Sequence, residues 1–122
     1  MRAPELLLLR PTEGELPPAD VEAQLASMPF SLRDASGLFL LCGDAHGTQF
    51  ARMRLLTEPD EPMPPAALVR VSAQEVQLWQ RCTDEALGQA REFAEWMRST
   101  YACRITDPEG RDYTESLDAA YR

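Results

Sequence analysis

A stripe of apolar residues at helical spacing constrains the fold of this chain more than any other pattern. From Ser72 to Tyr101 an apolar residue recurs at every third or fourth position, with charged residues between, which is typical of a helix that buries one face. Ser72 and Glu75 have the spacing of a capping box, so we predict that one helix begins at Ser72 and ends near Tyr101. The stripe consists of Val76, Trp79, Cys82, Ala86, Ala90, Phe93, Met97 and Tyr101.

Short apolar or alternating segments predict the strands on which this helix packs. The run from Leu6 to Leu9 is followed by Pro11, and a continuous apolar run of this length is typical of a strand buried on both faces. Glycine stands at each end of Gly43–Gly47, which is typical of a hairpin loop. The predicted strands are Glu5–Arg10, Phe30–Asp34, Leu38–Cys42, Thr48–Leu56, Ala67–Val71 and Ala102–Thr106, with Asp112–Thr114 as a short return strand.

A second helix is predicted from Pro18 to Met28, because Val21, Leu25 and Met28 fall on one helix face before Pro29. The element order is then strand, helix, four strands, helix, strand. We therefore predict an α+β two-layer sandwich, with a mixed, mostly antiparallel sheet and two helices on one of its faces. The nearest simple model is a ferredoxin-like topology. The other sheet face is left to solvent or to a partner.

The length of 122 residues predicts one domain over residues 1–122. Residues 57–66 are acidic and rich in proline, so we expect a surface loop. Residues 116–122 are expected to form a frayed tail. The longest purely apolar run, Leu6 to Leu9, is far shorter than a membrane span.

Missing residue types exclude several chemistries. The chain has no Lys, so Schiff-base chemistry and a P-loop are excluded. His46 is the only histidine, which excludes two-histidine metal centres. We predict no metal and no cofactor. The absence of Lys and Asn, with Ile105 as the single Ile, indicates a GC-rich and therefore bacterial genome.

The three cysteines are Cys42, Cys82 and Cys103, and their odd number and spacing favour reduced thiols in a cytoplasmic protein. Cys42, Asp44 and His46 are separated by two positions each and would share one face of a continuous strand. They are the residue types of a cysteine nucleophile, its orienting acid and its base. Gly43 and Gly47 interrupt the strand, so we predict no enzyme and keep a cysteine hydrolase as an alternative.

The net charge of −8 argues against binding to duplex nucleic acid. With no catalytic set apparent, we predict a non-enzymatic protein-binding module. Its most specific form is a small acidic inhibitor or immunity-type protein that masks a basic partner. The candidate partner-binding residues are Glu58, Asp60 and Glu61 in the loop, and Asp84, Glu85, Glu92, Glu95 and Trp96 on the long helix.

Arginines within the predicted strands suggest an alternative function. They alternate with apolar neighbours, so we expect them to point away from the core. Together they could form a site for a small anion in a regulatory domain, or a solvated face paired with loop acids. The five arginines are Arg33, Arg52, Arg54, Arg70 and Arg104. A homodimer through an open sheet face or an edge strand is also left open.

Overall fold

The computed structural model describes residues 3–57 and 66–121, with residues 54–57 described by their backbone alone. This part of the chain contains six strands, three α-helices and a short 3-10 helix at Leu117–Ala120. The elements in chain order are β1 (Leu6–Pro11), α1 (Pro18–Ser27), β2 (Ser31–Arg33), β3 (Phe39–Leu41), α2 (Ala45–Thr57), β4 (Ala67–Val71), β5 (Val76–Trp79), α3 (Asp84–Thr100) and β6 (Cys103–Thr106).

The strands form one sheet in the order β2-β3-β4-β5-β1-β6, and every neighbouring pair is antiparallel. β1 lies inside the sheet, where Leu7 is paired with Leu78 of β5 and Leu9 with Ile105 of β6. The prediction of a strand at this position is confirmed, but the expected burial on both faces is not. Its residues differ in burial, because Leu7 and Leu9 are fully buried while Leu6 and Leu8 are only half-buried.

The main core lies between one face of this sheet and helices α1 and α3. Val21 and Leu25 of α1, together with Phe93 and Met97 of α3, belong to the same buried cluster as Leu7 and its neighbours on the other strands. Burying large apolar side chains is the dominant favourable term in folding. The predicted α+β class is confirmed, with two helices against one face of the sheet. The sheet is predicted to be mixed, but all of its described strand pairs are antiparallel.

The prediction of a hairpin at Gly43–Gly47 followed by a strand at Thr48–Leu56 is wrong, because helix α2 occupies this segment. The carboxylate of Asp44 accepts a hydrogen bond from the Gly47 backbone N–H at 2.7 Å, so Asp44 caps a helix where the strand was expected. Ala51 then packs with Leu40 in a second, smaller cluster. Leu40 points away from the main core, so α2 covers the opposite face of the sheet near β3.

A turn and a strand replace the first part of the long helix predicted from Ser72 to Tyr101. The Glu75 N–H donates to the Ser72 hydroxyl at 3.2 Å, as in a capping box. The Ser72 N–H donates to the Glu75 carbonyl at 3.0 Å, which closes a tight turn between β4 and β5. Helix α3 begins later, where the hydroxyl of Thr83 accepts a hydrogen bond from the Ala86 N–H.

The sheet is larger than a ferredoxin-like one, which has four strands and two helices. Without β2, β3 and α2, the remaining elements run β-α-β-β-α-β, with the strand order β4-β5-β1-β6. The three additional elements extend the sheet beyond β4.

At the C-terminal end of the described chain, Leu117 of the predicted frayed tail is only 2% exposed. Ala120 is also buried, and Tyr121 packs against the main core. Most of the loop predicted at 57–66 lies outside the described residues.

Gly43 holds the end of β3 against the start of α3. Its φ angle is +86°, in the left-handed region that favours glycine. A Cβ atom at this position would meet the backbone of Glu85 and Ala86 at less than normal contact distance. The Gly43 N–H donates to the side-chain oxygen of Gln89 at 2.8 Å, and this contact joins β3 to α3.

We expect Gly43→Ala to lower the free energy of unfolding by about 2 to 4 kcal/mol, because backbone strain and overpacking add. Gly14→Ala is the matched control, since Gly14 also has a positive φ but open space where alanine would place its methyl group. It should cost about 1 kcal/mol. Chemical denaturation of both variants measures the difference, and equal losses would show that the contact with α3 contributes nothing.

Candidate functional site

Cys42, Asp44 and His46 all line one cavity, at the point where β3 ends and α2 begins. The cavity has a volume of about 340 Å³ and lies between the first turns of α2 and α3. Its other lining residues are Gly47, Phe50, Ala66, Thr83 and Glu85. The structure thus brings together the three residues that the sequence suggested as a nucleophile set.

Asp44 has a structural role and Cys42 is buried. Asp44 caps α2, because its carboxylate accepts a hydrogen bond from the Gly47 N–H. Cys42 is 4% exposed, and burial raises its thiol pKa, although a hydrogen bond with Thr48 and the charge of Arg52 act in the opposite direction. In the described part of the chain no hydrogen bond joins Cys42, Asp44 and His46, so the geometry does not form a nucleophile with its base.

The predicted acidic residues of the long helix share the outer face of α3. Asp84, Glu85 and Glu92 are exposed, and their spacing places them on one side of the helix. Glu95 lies on the same side and pairs with Arg91 at 3.6 Å. The other predicted acids, Glu58, Asp60 and Glu61, lie outside the described residues.

Trp96 sits at the edge of this outer face and is half-buried. Its ring stacks on Phe93 with centroids 6.1 Å apart and meets the Tyr101 ring edge-on at 5.5 Å. Such aromatic contacts add to the stability that area burial supplies. Trp96 therefore links the outer face of α3 to the core.

The arginines of the alternative anion site are distributed over different surfaces. Arg33 pairs with Glu22 of α1 at 2.7 Å and lies over the Phe39 ring, so it is on the helical side of the sheet. Arg52 is exposed on α2, and the Arg54 side chain is outside the described residues. Arg70 and Arg104 lie on the other side of the sheet, on strands separated by β5 and β1.

A part of the sheet opposite α1 and α3 is not covered by any described helix. We call this surface the open face. Alternation along the strands places half-buried Leu6, Leu8 and Trp79 on it together with exposed arginines. None of these three apolar residues belongs to either buried cluster of the described chain. The open face consists of Leu6, Leu8, Arg10, Arg70, Gln77, Trp79, Arg104 and Thr106.

Ion pairs and hydrogen bonds connect the polar residues of the open face. Arg10 pairs with Glu75 at 2.8 Å, and the Gln77 amide donates to the same carboxylate at 2.9 Å. Arg104 pairs with Asp112 at 3.2 Å. Sequence reasoning missed this surface because residues 76–79 were assigned to a helix; the alternation of Val76, Gln77, Leu78 and Trp79 was the available signal.

Within residues 3–57 and 66–121, no group of three or more His, Cys, Asp and Glu side chains is placed to hold a metal ion. Among the described helices, none has the length and apolar character needed to cross a membrane. No family model, curated protein or solved structure matches this chain. The cavity, the outer face of α3 and the open face are therefore the surfaces from which a function can be inferred.

We expect the thiols of the native protein to react slowly with iodoacetamide. Burial raises the pKa of Cys42 and Cys103 and raises that of Cys82 to about 11. Near pH 8 all three should react at least about tenfold more slowly than free cysteine, because the thiolate is the nucleophile. Unfolding in urea should remove the difference, as mass spectrometry would show. Fast labelling of native Cys42 would instead favour the cysteine hydrolase.

Proposed function

We propose that this chain is a non-enzymatic protein-binding module that presents the outer face of α3 to a basic surface of another protein. This is the behaviour of a small acidic inhibitor or immunity-type protein. The observation that carries the proposal is a separation of charge across the sheet. Carboxylates line the outer face of α3 on the helical side, whereas Arg10, Arg70 and Arg104 lie on the open face.

Arg91 on the outer face of α3 does not neutralise the exposed acids. Arg91 contacts Glu95 of the same helix and Asp118 of the 3-10 helix, so its charge is already matched. Asp84, Glu85 and Glu92 are left with a negative field directed toward solvent. Such a field accelerates association with a cationic surface and makes the rate sensitive to salt.

Gly88 supports contact with a partner at this face. It lies one helical turn from both Asp84 and Glu92, is exposed, and has open space where a Cβ atom would be. A glycine inside a helix destabilises it relative to alanine, and no packing contact of the described chain requires one here. The missing side chain lets another molecule approach the helix backbone closely.

Gly88→Ala tests whether the fold itself requires glycine at this position. We expect the substitution to raise the free energy of unfolding by about 0.5 to 1 kcal/mol, because alanine stabilises a helix interior relative to glycine. Urea denaturation followed by circular dichroism measures the change. A loss of stability would mean that the fold itself requires glycine, and Gly88 would then no longer indicate a partner.

Binding is tested by capture from a lysate of the cells that encode the chain. Glu85→Gln with Glu92→Gln removes two charges from the outer face of α3. The matched control, Glu13→Gln with Glu15→Gln, removes two charges from exposed positions before α1. We expect the wild type and the control to retain one basic protein at equal stoichiometry, and the α3 variant to lose it at least about tenfold.

Salt provides the second readout for the same captured protein. Association with the wild type should slow as ionic strength rises, because screening weakens the attraction between exposed charges. Equal weakening in the α3 variant and its control would mean that only net charge matters. That result, or the absence of any basic protein among those captured, would contradict the proposed function.

A further inference from the structure

We infer that the open face is a homodimer interface, on which a second copy of this chain packs face to face with its strands aligned. This interface lies on the opposite side of the sheet from the outer face of α3. The inference therefore stands independently of the proposed function.

The apolar content of the open face is the first observation. Leu6 is paired across the strands with Trp79, and Leu8 occupies the next position on the same side of β1. An antiparallel sheet that faces water usually carries polar residues on its solvated side. Three large apolar side chains in adjacent positions instead resemble the inner side of two packed sheets.

The pairing of β5 with β1 indicates that a second copy of this chain covers the open face. We call the line between these two strands the seam. A twofold axis along this seam, parallel to the strands, places each β5 residue opposite the β1 residue with which it is paired. Trp79 then packs on Leu6 of the second copy. Gln77 faces Leu8, because these two residues are also paired within one chain.

The charged residues obey the same twofold relation. Glu75 and Arg10 are one step further along the two paired strands and form an ion pair within the chain at 2.8 Å. Across the axis, Glu75 of one copy faces Arg10 of the other, and the reverse contact forms by symmetry. Four charges of alternating sign then lie together at one end of the apolar patch. The face is therefore complementary to itself in charge.

Net charge also favours this face for self-association. Two molecules of charge −8 repel each other, and the repulsion is smallest when their acidic surfaces are far apart. The open face carries Arg10, Arg70 and Arg104. Contact through this face leaves the acidic outer face of α3 on the outside of the dimer, so the like-charged helices remain far apart.

Sedimentation velocity tests the dimer directly. Over a range of about 1 to 100 µM, where a micromolar Kd changes the populations, we expect the wild type to change from the mass of one chain to that of two. Leu8→Glu should stay at the mass of one chain throughout. Ala23→Glu adds the same charge at an exposed position of α1 and should behave as the wild type.

The Leu8→Glu variant could lose the dimer because it fails to fold. Exchanging the charges of Arg10 and Glu75 separates loss of the dimer from loss of folding. Arg10→Glu alone places four carboxylates together at one end of the apolar patch and should weaken the dimer at least about tenfold. Combining it with Glu75→Arg restores alternating charges and should restore the dimer. In a Trp96→Phe background, Trp79 is the only tryptophan, and its emission should shift to the blue as the dimer forms.

A single-chain mass at the highest concentration would overturn the inference, as would a dimer that survives both Leu8→Glu and Arg10→Glu. Occupation of the open face by a different protein or a small anion would give the first of these results. A monomer that still captures a basic protein through α3 would refute the dimer alone. A dimer that captures none would refute only the proposed function.

Discussion

The position of β1 between β5 and β6 is the constraint on which the rest of the structure depends. Its hydrogen bonds join the first strand of the chain to the last. Leu7 and Leu9 must face α1 and α3 for the main core to form. Because side chains alternate along a strand, Leu6, Leu8 and Arg10 must then point to the other side. The open face is thus a direct consequence of how the core is built.

Five of the six described strands, all except β5, and helix α1 could be predicted because their local patterns agree with their environments. The failures have physical reasons that are visible in particular residues. Val76 and Trp79 are three positions apart, which fits a helix. The same four residues also fit a strand with Val76 and Leu78 on its buried face, and so short a segment does not distinguish the two. Helix α2 depends on the Asp44 cap. Ala51 is buried while Phe50 and Met53 are exposed, which leaves no broad apolar stripe.

The candidate surfaces were harder to predict than the elements that carry them. Alternation correctly indicates that an arginine points away from its apolar neighbours, but a sheet has two faces. Arg33 reaches Glu22 on the helical side, while Arg70 belongs to the open face, and only the register between distant strands separates these cases. Cys42 has the residue types of a nucleophile set around it, yet its burial favours the protonated thiol.

The two proposed surfaces lie on opposite sides of one sheet, and this arrangement fixes the stoichiometry of any complex that uses both. Packed layers are about 10 Å apart, so two copies joined at the open face hold their α3 helices about 30 Å from each other. The two outer faces point in opposite directions and cannot engage a single binding site together. Each copy would bind its own basic partner, and dimerisation would give two partners per assembly without increasing the affinity for either.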